Sequence, residues 1–139
     1  MAGCSDGTAA PPSVPPSLSV FPTAVIGVGE ESWTVAVAGT QALRVQGLRG
    51  VADLGGLDGM LFSFPEDSAA GFTMRGTLIP LDIAFFAADG SLVDRLEMVP
   101  CNADPCPSYR AAGPYRYALE TPAGGFDGIE DLRLDPRGG

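Results

Sequence analysis

The sequence predicts a mainly β fold, a β-rich α+β domain built as a small closed barrel or sandwich of about seven short strands with at most one or two short helices. Three observations support it. Nineteen Gly and 13 Pro in 139 residues favour short elements joined by turns, because each one inside a helix costs about 1 to 3 kcal/mol. Hydrophobic residues make up 45% of the chain, enough for one core. Finally, short apolar runs alternate with turn residues from Trp33 onward.

Residues 1–30 are interpreted as a lipobox remnant followed by a Pro/Ser-rich disordered tether, and residues 31–139 as a single globular β domain. Five prolines lie between residues 11 and 22. Such a segment cannot bury enough apolar area to offset the entropy of ordering, so we expect it to be extended and solvated.

The residues Ala2-Gly3-Cys4 match the end of a bacterial lipobox, in which the cysteine is acylated. Two acyl chains on Cys4 would suffice for stable anchoring to a membrane. The alternative is that Met1 is a true start and that Cys4 is a free thiol in a cytoplasmic protein.

In the first half of the domain, residues 33–38 alternate like a half-buried strand. Residues 40–51 fit a short helix or an irregular turn. Residues 59–64 form a compact apolar strand that we expect Pro65 to end.

In the second half, residues 72–75, 78–86 and 92–99 are predicted strands, and Asp89-Gly90 predicts a hairpin turn between the last two. Two more short strands are expected at 115–121 and 131–134. They flank the glycine-rich residues 123–128.

Composition excludes several classes of function. The net charge is -9, all eight basic residues are scattered arginines, and phosphate binding needs clustered cations. We therefore expect no nucleic-acid partner, and membrane contact only through lipidated Cys4. Histidine is absent, which removes Ser-His-Asp and Cys-His nucleophiles and His-containing metal sites. No metal and no cofactor is predicted.

Several short motifs occur in a characteristic order. They are Gly47-Leu48, Gly59-Met60-Leu61-Phe62, Phe72-Thr73-Met74, Thr77-Leu78-Ile79-Pro80-Leu81-Asp82-Ile83, Pro100-Cys101 with Cys106 and Tyr109, and Tyr117-Ala118-Leu119-Glu120 with Ala123-Gly124. In this order they resemble the bacterial and archaeal family called domain of unknown function 192, over about residues 33 to 135.

The resemblance implies a compact, mostly β domain that is often found in exported proteins and has no established activity. The family usually has an arginine where Val51 stands, and a tryptophan and an asparagine where Thr73 and Gly76 stand. Arg49 and Arg75 are the nearest substitutes if those positions form a polar site in relatives.

Asp82 interrupts the apolar run 78–86 and, in a strand, shares a face with Ala84 and Phe86. A buried carboxylate there needs a hydrogen-bond donor or a cation, for which Arg75, Arg49 and Arg44 are candidates. Its role is either structural or catalytic.

Glu120 is interpreted either as a solvated strand end or as a second carboxylate beside Asp82. A pair would permit general acid and base chemistry or hold a divalent cation.

Cys101 and Cys106 enclose a four-residue loop, which a disulfide would most simply close outside the cytoplasm. Metal binding and redox catalysis are the alternatives, although two further soft ligands and a Cys-x-x-Cys spacing are missing.

Our leading functional hypothesis is a non-catalytic, lipid-tethered module of the cell envelope, monomeric and extracytoplasmic, that binds a small molecule, a glycan or an envelope protein. The expected contact face comprises Arg49, Arg75, Asp82 and Tyr109. The alternative is a hydrolase or lyase, metal-assisted or not, that uses Asp82 and Glu120.

Overall fold

The computed structural model describes residues 14–137, and its main feature is a seven-stranded sheet that curls into a half-barrel. The prediction of a mainly β fold with about seven strands is confirmed. The strands are β1 (Thr23–Val28), β2 (Glu31–Ala38), β3 (Gly59–Ser68), β4 (Leu81–Phe86), β5 (Leu92–Met98), β6 (Tyr115–Pro122) and β7 (Leu134–Asp135). A 3-10 turn (Pro16–Leu18) and one helix, α1 (Gln41–Gln46), complete the elements.

The strands follow the order β5-β4-β6-β3-β2-β1-β7 across the sheet. All neighbours are antiparallel except β2 and β3, which run parallel. A parallel pair needs a crossover connection, and α1 lies within it. No helix among residues 14–137 is long and apolar enough to cross a membrane.

The fold begins earlier than the predicted boundary at residue 31. Leu18 and Phe21 are buried in the core, and β1 pairs with both β2 and β7. Burial of these apolar residues offsets the cost of the prolines in this segment. The rest of the tether predicted for residues 1–30, namely residues 1–13 with Cys4, lies outside the described residues.

Pro65 does not end β3 as expected. The strand continues to Ser68, and its pairing with β6 shifts register between Ser63 and Ser68. Proline lacks an N–H to donate to a ladder, and an irregular stretch of this kind tolerates that loss.

The predicted strand at residues 72–75 is also wrong, because this segment forms only isolated bridges. Phe72 bridges to Tyr109, and Arg75 bridges to Cys101. The segment is a loop that two single contacts hold against the residues following β5.

The hairpin between β4 and β5 is confirmed. Asp89 accepts hydrogen bonds from the N–H and Oγ–H of Ser91 at 2.9 and 2.6 Å, which lower its pKa. Gly90 occupies φ +88°, a conformation that glycine adopts readily. The Leu134 N–H donates to the Gly90 carbonyl at 2.9 Å, so this turn touches the strand at the other edge of the sheet.

The two faces of the sheet carry separate cores, which follow from strand alternation. The first core includes Met60, Phe62, Met74, Leu81, Ile83, Phe85, Tyr115 and Ala118. The second core includes Ile26, Val28, Trp33, Val35, Leu61, Ala84, Phe86, Leu119, Phe126 and Leu132.

Helix α1 is a short element at the edge of the first core, against which its Leu43 packs. Thr40 caps its start by accepting the Leu43 N–H at 3.2 Å, and Gly47 ends it at φ +49°. A Cβ at Gly47 would touch the Phe62 ring at 3.4 Å, so glycine lets the helix end close to β3.

Candidate functional site

An open cavity of about 420 Å³ lies between α1, strand β3 and the loop of residues 70–77. Its size falls within the lower part of the range typical of ligand pockets, roughly 300 to 1,000 Å³. The residues that line it include Arg44, Arg49, Phe62, Phe64, Phe72 and Glu120.

Glu120 is placed by the register of the sheet. It lies on β6, between β4 and β3, directly opposite Ile83 on one side and Met60 on the other. Directly opposed residues point to the same face, so the Glu120 side chain enters the first core. A Cβ at Gly59 would collide with the Glu120 carbonyl oxygen, and glycine there lets the two strands approach.

The Glu120 side chain is 5% exposed and makes no hydrogen bond to any residue among 14–137. It lines the cavity, which is the open space next to it. Burial raises its pKa to about 8, and no neighbouring charge offsets that effect. At neutral pH Glu120 is therefore mostly protonated, and its carboxyl group has a proton to donate into the cavity.

Arg44 forms one wall of the cavity. Its Nη1 donates to the Ser63 carbonyl at 2.8 Å, and its guanidinium lies 4.9 Å from the centroid of the Phe64 ring. Both contacts hold the cation over the aromatic wall, as cation–π geometry requires.

Arg49 lies at the exposed mouth of the cavity. Among residues 14–137 its guanidinium has no hydrogen-bond or ion-pair partner. Its aliphatic stem lies beside Gly76, where an added Cβ would be in ordinary contact with it at 3.7 Å. The charge at the mouth is therefore free to meet a ligand.

Aromatic rings make the apolar part of the cavity and are braced from behind. Phe62 and Phe72 meet edge to face with centroids 5.0 Å apart, and Phe64 meets Tyr115 in the same way at 5.4 Å. The Tyr115 hydroxyl donates to the Ala70 carbonyl at 2.6 Å. That bond ties the loop of residues 70–77 to the sheet.

Asp82, the carboxylate that the sequence singled out, lies elsewhere. It is 4% exposed, and its Oδ2 accepts the Gly124 N–H at 3.0 Å. In the sheet it lies directly opposite Thr121. Its side chain is on the same face as Ala84, whereas the side chain of Glu120 is on the other face. The structure therefore does not bring the two carboxylates together, and none of the three candidate arginines is the partner of Asp82.

Of the four predicted contact residues, only Arg49 lines the cavity. Arg75 forms an ion pair with Asp104 at 2.9 Å and donates to the Ala103 carbonyl. The Tyr109 hydroxyl accepts the Val99 N–H at 3.4 Å. Asp82 is buried on the face of the second core, so it does not form one contact face with Arg49, Arg75 and Tyr109.

Cys101 and Cys106 lie at disulfide distance, with their Cα atoms 5.8 Å apart. Arg75 binds the loop that they enclose. Within residues 14–137 no group of three Cys, Asp or Glu side chains could hold a metal ion.

The sequence did not reveal the cavity itself. Phe62, Phe64 and Phe72 were assigned to the core, Arg44 was considered only as a partner for Asp82, and Gln41 and Gln46 were not singled out. One signal was available: Arg44 and Arg49 flank Gly47 in a segment predicted as a helix or turn next to an apolar strand.

The model of the family described as Uncharacterized ACR, domain of unknown function 192, matches residues 24–131. The chain belongs to this family. No curated protein matches the chain. It is similar to a protein of unknown function from Novosphingobium aromaticivorans, with 29% identity and a TM-score of 0.74 over 96% of this chain and 98% of that one.

The chain is also similar to a solved protein from Sinorhizobium meliloti that is named as a candidate transcription regulator, with 26% identity. The TM-score is 0.72, over 83% of this chain and 94% of the other.

Two of the three positions at which this chain departs from the usual pattern of the domain of unknown function 192 family adjoin the cavity. Thr73 lines it, and Gly76 packs beside Arg49. Val51 is instead buried in the first core.

Proposed function

We propose that this domain is a non-catalytic binding module that receives a small molecule in the cavity between α1, β3 and the loop of residues 70–77. The observation that carries the proposal is the buried carboxyl group of Glu120, which faces that cavity without a hydrogen-bond partner among residues 14–137. No side-chain oxygen or nitrogen among residues 14–137 is both sealed from solvent and without a partner, so the Glu120 carboxyl is reached through the cavity. A ligand in the cavity can therefore hydrogen-bond to Glu120 in place of water.

The size of the cavity, about 420 Å³, supports a compact ligand over a protein. Its wall includes three phenylalanines, and polar side chains also line it: Gln41, Arg44, Gln46, Arg49, Thr73, Thr77 and Glu120. Among the exposed apolar side chains of residues 14–137, Val45 belongs to this lining, whereas Leu78 and Val99 do not.

The alternative, a hydrolase or lyase with Asp82 and Glu120 as its acid and base, receives no support from the geometry. The two side chains lie on opposite faces of one sheet, so no substrate atom can reach both. General acid and base catalysis requires both groups within hydrogen-bond reach of the reacting atoms.

A role in DNA binding, to which the name of the Sinorhizobium relative points, is disfavoured by charge. The chain carries a net charge of -9, and within the described part of the chain three of the eight arginines form ion pairs with aspartates. A duplex needs a clustered cationic surface.

We further propose that the domain acts outside the cytoplasm, anchored through acylated Cys4. The lipobox-like residues 2–4 and the pair Cys101 and Cys106 at disulfide distance support this location, because disulfides persist in oxidising compartments. Mass spectrometry of the membrane fraction should detect acyl chains on Cys4, and Cys4→Ser should release the protein. Unmodified Cys4 in the soluble fraction would contradict the anchor.

Binding is tested by screening a metabolite library for compounds that raise the melting temperature, since a ligand of the folded state must do so. Thr73→Trp fills the mouth of the cavity from an exposed position and should abolish the shifts. Thr23→Trp, also exposed but on β1, is the matched control and should keep them. A library without a stabilising compound, or hits that bind Thr73→Trp equally well, would overturn the proposal.

A further inference from the structure

The charge of the cavity lining differs in sign from the net charge of the protein. The chain carries a net charge of -9, yet the charged residues among those lining the cavity are Arg44, Arg49 and Glu120. Because burial raises the pKa of Glu120 to about 8, its carboxyl group is mostly neutral at pH 7. The lining then carries two positive charges, which attract anions and repel cations.

The two arginines differ in whether their guanidinium groups are free to bind a ligand. Arg44 is committed to the Ser63 carbonyl and to the Phe64 ring. Arg49 stands at the exposed mouth with no partner among residues 14–137. A carboxylate at the mouth would therefore meet the guanidinium of Arg49 without displacing an existing contact, and such charge-assisted bonds are strong.

The positions of the apolar and polar side chains in the cavity determine which groups the rest of the ligand must carry. Apolar rings of Phe62, Phe64 and Phe72 line its wall, and Glu120 is its most buried polar group. A ligand that fills the space thus presents an anionic group outward, an apolar body to the rings, and a hydrogen-bonding group inward.

On the basis of the proposed function, we propose that the cavity binds a small amphipathic organic anion. The carboxylate of this ligand pairs with Arg49, and its ring or branched apolar body packs on Phe62, Phe64 and Phe72. Its polar far end hydrogen-bonds to Glu120. The ligand must be compact, because about 420 Å³ is available.

The test uses four probes that share one apolar body. They are 3-(4-hydroxyphenyl)propionate, its neutral amide, the cation tyramine, and 3-phenylpropionate, which lacks the hydroxyl group. Titrations at pH 7 are followed by backbone amide NMR, so that binding at the cavity is separated from binding elsewhere. The hydroxylated carboxylate should bind most tightly and tyramine most weakly, with shifts at residues 41–49 and 70–77.

Two variants separate the two ends of the ligand. Arg49→Gln should weaken the hydroxylated carboxylate about tenfold, equivalent to about 1.4 kcal/mol, and leave the amide unchanged. Arg133→Gln is the matched control: it removes an exposed arginine that does not line the cavity and should have no effect. Glu120→Leu should abolish the preference for the hydroxyl group, whereas Glu120→Gln, which can still hydrogen-bond, should retain it.

Equal affinity for the carboxylate and its amide would overturn the proposal that the ligand is an anion. An Arg49→Gln variant that still prefers the carboxylate to the amide would overturn it as well. The proposed binding function would survive that result if the library still contained ligands blocked by Thr73→Trp. Absence of any probe-induced shift at the cavity at 10 mM, about the weakest affinity of interest, would also overturn this inference.

Discussion

Asp82 and Gly124 are joined by one hydrogen bond, in which the backbone N–H of Gly124 donates to Asp82 Oδ2 over 3.0 Å. Gly124 occupies φ +89° in the turn that follows β6. The carboxylate thus holds this turn against β4. The bond accounts for the aspartate within an otherwise apolar strand.

Asp82→Ala should lower the free energy of unfolding by about 1 to 3 kcal/mol, because the Gly124 N–H would lose its partner in a partly buried position. Asp82→Asn keeps an acceptor oxygen and should cost less than Asp82→Ala. Urea unfolding monitored by fluorescence of Trp33 measures both. Equal stability of Asp82→Ala and the parent would show that the bond is dispensable.

Glu120 makes stability depend on pH in a direction opposite to that of a paired carboxylate. Its pKa rises from 4.5 to about 8 on folding, so between these values the folded state holds a proton that the unfolded state has lost. Stability due to this group is complete below pH 4.5 and falls as pH rises toward 8, by up to about 1.4 kcal/mol per unit.

Glu120→Gln should remove this decline, so that the difference in free energy of unfolding between variant and parent grows from pH 5 to pH 8. Glu66→Gln, at an exposed position of β3, is the control and should follow the parent at every pH. Parallel curves for Glu120→Gln and the parent would refute the raised pKa.

Gly59→Ala should destabilise the domain by about 1 to 3 kcal/mol or more, because the added Cβ collides with the backbone carbonyl of Glu120, which cannot move without breaking the sheet. Gly39→Ala is the matched control, since no atom lies within 4 Å of a Cβ there. Thermal unfolding of both variants is compared with the parent. A tolerated alanine at 59 would mean that β3 and β6 can separate locally.

Reduction of the Cys101–Cys106 bond should lower stability by about 2 kcal/mol, the chain-entropy value for so short a loop. Urea unfolding with and without reductant measures the change, with Cys4→Ser as the background. The double variant Cys101→Ser/Cys106→Ser should match the reduced protein and should not respond to reductant. Identical curves for the oxidised and reduced protein would contradict the prediction.

Strands in which apolar and polar residues alternate, or which contain branched and aromatic residues, could be predicted from the sequence. The Asp89-Gly90 turn could be predicted as well. Strand β1 was missed because five nearby prolines favoured a tether, although Ile26 and Val28 already alternate with Gly27. Local composition does not indicate that this segment pairs with β2 and β7 in the folded domain.

The candidate site was predicted only in part, since Arg49 and Glu120 were named but neither the cavity nor their shared face was foreseen. The alternation of β4 placed Asp82 correctly beside Ala84 and Phe86. Placing Glu120 on the other face required the register that opposes it to Ile83. Register depends on contacts between distant segments, and periodicity within one strand does not encode it.

The pairing of β1 with β7 has a consequence for synthesis. Val28 emerges from the ribosome early, yet its partner Leu134 follows only after every other strand has been made. Until then the Gly27–Val28 end of the outer edge of β1 is uncovered. We therefore expect unintended strand pairing during synthesis to be most frequent at this end of the sheet.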